Sequence, residues 1–268
     1  MQKINIVTIS ILMVLCVCGS LWAQPNPADP TLRLWLKADD LAATYSPGQA
    51  IAGWQDASSY GHMMAPREGM NEAPNYQEVD IFGKTVSAVE FIADAGRDRL
   101  YEVLGPLVNP NDPNDPANAT MTDIGDGTPL TAVVVYYPII TGPALGPQTI
   151  LGKRGTYSCT YSFQVAAHLA NAANPGKLIY VTYEGDILYL SDRGLNPVQW
   201  HISGMTIDET GDNDILRFYD NDTMDPDKRM ALTGESTLLG RNDYCLAPLS
   251  IGGHMQANVG EYEPFAGY

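Results

Sequence analysis

Leu130-Thr131-Ala132-Val133-Val134-Val135-Tyr136-Tyr137 is the stretch that decides the fold. Six of its eight residues are β-branched or aromatic, types that suit a pleated surface and crowd a helix. It is bounded by Pro129 and Pro138, which cannot sit inside a ladder. The stretch predicts a buried β-strand of about eight residues, within the usual range. Outward from it the same grammar repeats. Leu32-Arg33-Leu34-Trp35-Leu36-Lys37 alternates strictly, three leucines on one side and Arg, Trp and Lys on the other, which predicts a half-buried strand. Val86 to Ile92 is another, with Val89 and Phe91 sharing a face. Further strands are expected at 149–152, 159–165, 178–183, 187–190, 198–207, 215–219 and 249–252. Turn formers separate them: Pro175-Gly176, Glu184-Gly185-Asp186, Asp192-Arg193-Gly194, Thr210-Gly211-Asp212-Asn213 and Asp225-Pro226. Phe163 to Ala173 is Ala-rich and reads equally as strand or helix. Many short strands joined by tight turns predict an all-β sandwich or barrel.

Composition agrees. The 268 residues include 25 Gly and 19 Pro, so breakers are frequent and long helices few. Hydrophobic residues make up 45% and charged residues 17%, too apolar for a disordered chain and too uncharged for a coiled coil. Asn109 to Asn118 is nearly all turn formers and reads as a surface excursion between strands. Fifteen Lys and Arg face 31 Asp and Glu, a net charge of −16, which excludes nucleic acid and an electrostatic hold on anionic membranes.

The first segment is an address. Lys3 is the only charge before Asp29, the run Ile4 to Trp22 is largely apolar, and Ser20-Leu21-Trp22-Ala23 leads into Gln24-Pro25-Asn26-Pro27. This pattern predicts a signal peptide over residues 1–23, cleaved after Ala23, and a secreted, periplasmic or cell-envelope protein. A retained membrane anchor is the alternative, the run being near the ~18–20 residues a span needs. A lipid anchor at Cys16 or Cys18 is disfavoured by the bulky Leu15 and Val17 before them. No later segment predicts a membrane span. Cys159 and Cys245 remain in the mature chain; an even pair in an exported protein predicts one disulfide, two buried thiols being the other reading.

No catalytic signature stands out. Glycosidases on β-sandwich scaffolds need two converging carboxylates, and one strand can present them as Glu-x-Asp-x-x-Glu because alternate residues share a face. No such run occurs; Glu184-Gly185-Asp186 is the nearest pair and reads as a hairpin tip. His62, His168, His201 and His254 show no zinc-ligand spacing. No Gly-x-Ser-x-Gly elbow and no phosphate-binding loop appears. Two acidic clusters could offer calcium its six to eight oxygens: Asp208, Asp212 and Asp214 around one turn, and Asp220-Asn221-Asp222 with Asp225 and Asp227. Neither has EF-hand spacing, and Asp, Asn and Gly are also what solvated turns require. No cofactor is required. Trp35, Trp54 and Trp200 are the mature tryptophans, each either a sugar-stacking surface or core packing. Trp54 stands next to Gln55-Asp56, which adds acceptors to a stacking face.

Several motifs in order carry a family likeness. They are Leu32-Arg33-Leu34-Trp35-Leu36-Lys37-Ala38-Asp39-Asp40-Leu41, Ile51-Ala52-Gly53-Trp54-Gln55-Asp56-Ala57-Ser58, Gly61-His62, Ala73-Pro74-Asn75-Tyr76 and Ala88-Val89-Glu90-Phe91. Gln199-Trp200-His201-Ile202, Leu216-Arg217-Phe218-Tyr219-Asp220-Asn221 and Ile251-Gly252-Gly253 follow. The chain from Leu32 to Tyr268 resembles the concanavalin A-like, laminin-G-like jelly-roll domains of secreted bacterial proteins. The resemblance implies one domain over 24–268, folded as two packed antiparallel sheets. It also implies binding of a glycan or a cell-surface ligand, with calcium in some members. Such domains usually run past a Phe-x-Gly element into a last strand. Here Phe265-Ala266-Gly267-Tyr268 is the end, which implies a missing last strand and an uncovered face of Leu32, Leu34 and Leu36. The expected function is a non-catalytic binding module with Trp54, Asp56, Trp35 and Trp200 toward the ligand. The alternative is a polysaccharide-active hydrolase whose catalytic residues are unrecognised or lie beyond residue 268.

Overall fold

The computed structural model describes residues 25–66, 73–81, 83–92, 100–102, 129–139, 148–153, 163–167, 177–182, 187–194, 199–210, 213–221, 231–238, 249–253, 265 and 268. An extended entry leads into a short 3₁₀ helix, Ala38–Ala43. The strands are β1 (Trp54–Gln55), β2 (Met63–Ala65), β3 (Asn75–Ile81), β4 (Lys84–Glu90), β5 (Leu100–Glu102), β6 (Leu130–Tyr136) and β7 (Gln148–Lys153). They continue as β8 (Phe163–Ala167), β9 (Lys177–Thr182), β10 (Ile187–Gly194), β11 (His201–Thr210), β12 (Asn213–Asn221), β13 (Ala231–Leu238) and β14 (Leu249–Ile251).

All neighbours pair antiparallel. Among the described residues they form an eight-stranded sheet, β1-β2-β5-β14-β7-β8-β9-β10, a four-stranded sheet, β13-β12-β11-β6, and the hairpin β3-β4. The chain is all-β. Two expected turns fall between paired strands: Thr182 pairs with Ile187 across Glu184-Gly185-Asp186, and Thr210 pairs with Asn213. Asp192-Arg193-Gly194, expected as a turn, instead closes strand β10, where Gly194 pairs with Lys177 after a shift of register past Leu190. The β3-β4 turn depends on Gly83, whose φ of +77° suits glycine and whose N–H meets the Asp80 carboxylate at 2.9 Å.

Alternation sets the faces. On β11, His201, Ser203, Met205 and Ile207 are buried; on β12, Leu216, Phe218 and Asp220 are. Both sheets and the hairpin contribute to one core, including Tyr76, Val89, Leu100, Ile150, Ile207, Phe218 and Leu249. Each fully buried side chain of this size stabilises by roughly 1.5–3 kcal/mol. The edges of the two larger sheets touch: a Cβ on Gly234 of β13 would lie 3.0 Å from Ser191 Cα of β10.

The structure corrects two further expectations and decides one reading that the sequence left open. β6 is only half-buried: Val133 and Val135 are 57% and 52% exposed, while Ala132 and Tyr136 point to the core. The outward face is Thr131, Val133 and Val135, and with a single polar residue on it the run does not reveal in sequence which side meets water. Leu32 to Lys37 is extended but joins no ladder. Trp35 N–H donates to the Asp56 carboxylate at 2.7 Å, and Trp35 C=O accepts from Ala57 N–H at 2.8 Å. A side chain thus replaces a neighbouring strand. Leu34 and Leu36 nevertheless pack against the core. The undecided segment at Phe163 is strand β8, held between β7 and β9.

The last described residues are docked. Phe265 is buried edge-on to Phe91 and Tyr136, and its N–H donates to Gly252 C=O at 3.0 Å. Tyr268 exchanges both backbone hydrogen bonds with Tyr137, at 2.8 and 3.0 Å. Among the described residues no helix is long and apolar enough to cross a membrane. Residues 1–23, the excursion 109–118, and Cys159 and Cys245 lie outside the described residues.

Candidate ligand site

The four sequence candidates fall into two neighbourhoods. Trp54 is 8% exposed, and its indole N–H donates to Lys37 C=O at 3.1 Å. Asp56 is 3% exposed, and its carboxylate accepts from the N–H groups of Trp35 and Ser58 at 2.7 and 2.9 Å. The Ser58 hydroxyl donates to its second oxygen at 2.5 Å. Gln55 donates to the carbonyls of Gly61 and His62 at 2.7 and 3.0 Å. The Lys37 ammonium lies 5.2 Å from the half-buried Trp35 ring, a cation–π contact. Asp56 and Trp54 therefore tie the entry segment to the loop of residues 56–62.

Trp200 sits elsewhere. It is half-buried just before β11, 5.6 Å from the Tyr137 ring and 6.4 Å from that of Tyr268. The two tyrosines are 6.5 Å apart, so the three rings form one group. Tyr137 reaches it from the end of β6, and Tyr268 through its backbone pairing with Tyr137. β4 adds polarity. Tyr268 Oη donates to Glu90 Oε1 at 3.2 Å, and Gln77 Nε2 on β3 donates to Glu90 Oε2 at 2.7 Å. Partial burial, then the Glu90 charge, raises the Tyr268 phenol above its ordinary range, so it stays protonated at neutral pH. The group offers apolar ring surface beside hydrogen-bonding oxygen. Sequence reading found Trp200. It missed Tyr137, Tyr268, Glu90 and Gln77, which only strand pairing brings to it.

A second, fully buried cluster was also invisible in sequence. Ser203 on β11 and Asp220 on β12 are register partners, as are His201 and Tyr136. Ser203 Oγ donates to Asp220 Oδ1 at 2.6 Å, leaving the Tyr136 phenol to donate to Ser203 Oγ at 3.0 Å. His201 Nδ1 lies 3.4 Å from Asp220 Oδ2, and its ring stacks on Tyr136 at 5.4 Å. Burial pushes the Tyr136 phenol far above its ordinary range. These residue types suggest hydrolysis, but the arrangement does not serve it. A serine nucleophile must give its proton to a base, usually histidine, and Ser203 gives it to the aspartate. His201 and Ser203 are both 0% exposed. The cluster is polar core.

Of the calcium candidates, Asp208 is bound by Arg217, which also reaches Glu235 at 2.6 Å. Asp214 on β12 stands in register with Glu209 of β11 and Leu238 of β13, and Asp212, Asp222, Asp225 and Asp227 lie outside the described residues. Among the described residues no three His, Cys, Asp or Glu side chains group to hold a metal. No known family profile matches the chain, and no curated protein is similar to it.

Proposed function

We propose that this chain is an exported, non-catalytic carbohydrate-binding module on a concanavalin A-like jelly-roll sandwich. Trp200, Tyr137 and Tyr268 are its sugar platform. The observation that carries the reading is the partly exposed three-ring group beside Glu90 and Gln77. Sugar rings present C–H faces that pack on aromatic rings and hydroxyls that bond to polar side chains, so a binding site needs both. Antiparallel sheets around one core are compatible with the sandwich, and the N-terminal address with export. Binding is preferred to hydrolysis because the buried Ser203 donates to Asp220 rather than to a histidine, and Ser58 likewise donates to Asp56. The test is a glycan array beside a hydrolysis screen on the mature secreted protein. Glycan binding that Trp200→Ala removes, without turnover, is expected. Turnover of a bound polysaccharide, or binding untouched by Trp200→Ala, would overturn the reading.

A further inference from the structure

We infer that this platform selects uncharged, hydroxyl-rich glycans and turns away those bearing carboxylates, with Glu90 as the residue that discriminates. The inference rests on the carbohydrate reading above and names its ligand class. A phenol carries one proton, and that of Tyr268 points to Glu90 Oε1 at 3.2 Å. The Tyr268 oxygen therefore faces a ligand as an acceptor. The second Glu90 oxygen is held by Gln77 at 2.7 Å, which fixes the carboxylate beside the Tyr268 phenol. A neutral sugar hydroxyl can donate to the Tyr268 oxygen. A uronate carboxylate is ionised at neutral pH and has no proton to give. It would meet an acceptor where it needs a donor, on a phenol already bonded to the Glu90 charge. Like charges brought together at a binding surface suppress the wrong partner. The chain's net charge of −16 adds repulsion of the same sign at longer range. Ring geometry leaves the neutral ligand its apolar contact: Trp200 and Tyr268 lie within 32° of parallel, while Tyr137 stands at 59° and 56° to them.

The experiment is calorimetric titration of the mature protein with two probe sets at moderate salt. One set is uncharged, cello-, xylo- and laminari-oligosaccharides; the other is charged, oligogalacturonates and oligoalginates of matched length. Wild type, Glu90→Gln and Trp200→Ala are compared. The best uncharged probe should bind at least about tenfold more tightly than any charged one, the scale of one unfavourable charge contact. Glu90→Gln, which keeps the shape and a partner for Gln77, should narrow that ratio several-fold by admitting the charged probes. Trp200→Ala should abolish binding of both sets. Equal binding of both sets by wild type, lost in Trp200→Ala, would overturn the selectivity and leave the carbohydrate reading standing. A preference unchanged in a Glu90→Gln protein that melts like wild type would remove Glu90 from the role. Binding of neither set, with a silent glycan array, would overturn the carbohydrate reading itself.

Discussion

Ser203 and Asp220 stand directly opposite each other on neighbouring strands, and the serine hydroxyl donates to the carboxylate at 2.6 Å inside the core. The pair fastens β11 to β12 by side chains as well as backbone. It also orders the cluster around it, since the Tyr136 phenol must then donate to Ser203. A buried carboxylate is tolerated only with partners, so removing either side leaves a costly group behind.

Asp220→Ala should therefore destabilise the protein by on the order of 1–3 kcal/mol or more. Ser203→Ala should cost less, because it removes a neutral group while Asp220 keeps its contact with His201. Urea unfolding of both variants checks this. Unchanged midpoints would show that the cluster contributes nothing net.

The contact between sheet edges at Gly234 has a direct consequence. Gly234→Ala places a methyl 3.0 Å from Ser191 Cα and 3.3 Å from Asp192 N, both backbone atoms that cannot swing aside. Overpacking of this kind costs roughly 1–3 kcal/mol. A lowered melting temperature is expected, whereas Gly83→Asn should be mild because asparagine tolerates the left-handed region.

The tryptophans should separate by phenotype. Trp54→Ala empties a core position and loses the indole bond to Lys37, a loss of about 3–5 kcal/mol. Trp200→Ala removes a half-exposed ring and should cost no more than about 2 kcal/mol, its contacts being two tilted aromatic pairs. Its effect should appear in glycan binding. Equal destabilisation by both would make Trp200 a packing residue.

Alkaline pH should weaken the fold through Tyr136 and Tyr268. Both phenols ionise above the ordinary tyrosine value of about 10 when folded, Tyr136 chiefly through burial and Tyr268 through burial and Glu90. The native state thus holds protons that the unfolded chain gives up. Their contribution is complete below about pH 10 and falls as pH rises beyond it. Melting temperatures across that range should decline, and Tyr136→Phe should make the decline shallower. Absorbance titration should show phenolate formation extending above the ordinary tyrosine value, and Tyr136→Phe should remove part of that late portion.

The sequence by itself determined the all-β class, most strand positions and the two turns that join β9 to β10 and β11 to β12. Period-two alternation and turn chemistry are local properties, readable wherever one face is apolar and the other polar. Trp200 was legible as a candidate because tryptophan is scarce here and flanked by strand signals. What only the tertiary structure decided is pairing. Strand order places Tyr136 beside His201 and Ser203 beside Asp220. Backbone pairing carries Tyr268 to Tyr137, and so beside Trp200. The same reason separates Trp54 and Asp56 from that group. Their types suit a ligand, but the entry segment claims their hydrogen bonds, and no local pattern records which distant N–H a carboxylate will accept. β6 shows the limit from the other side. Six β-branched or aromatic residues in eight specify a strand, yet only the folded sheet turns the face of Val133 and Val135 to solvent.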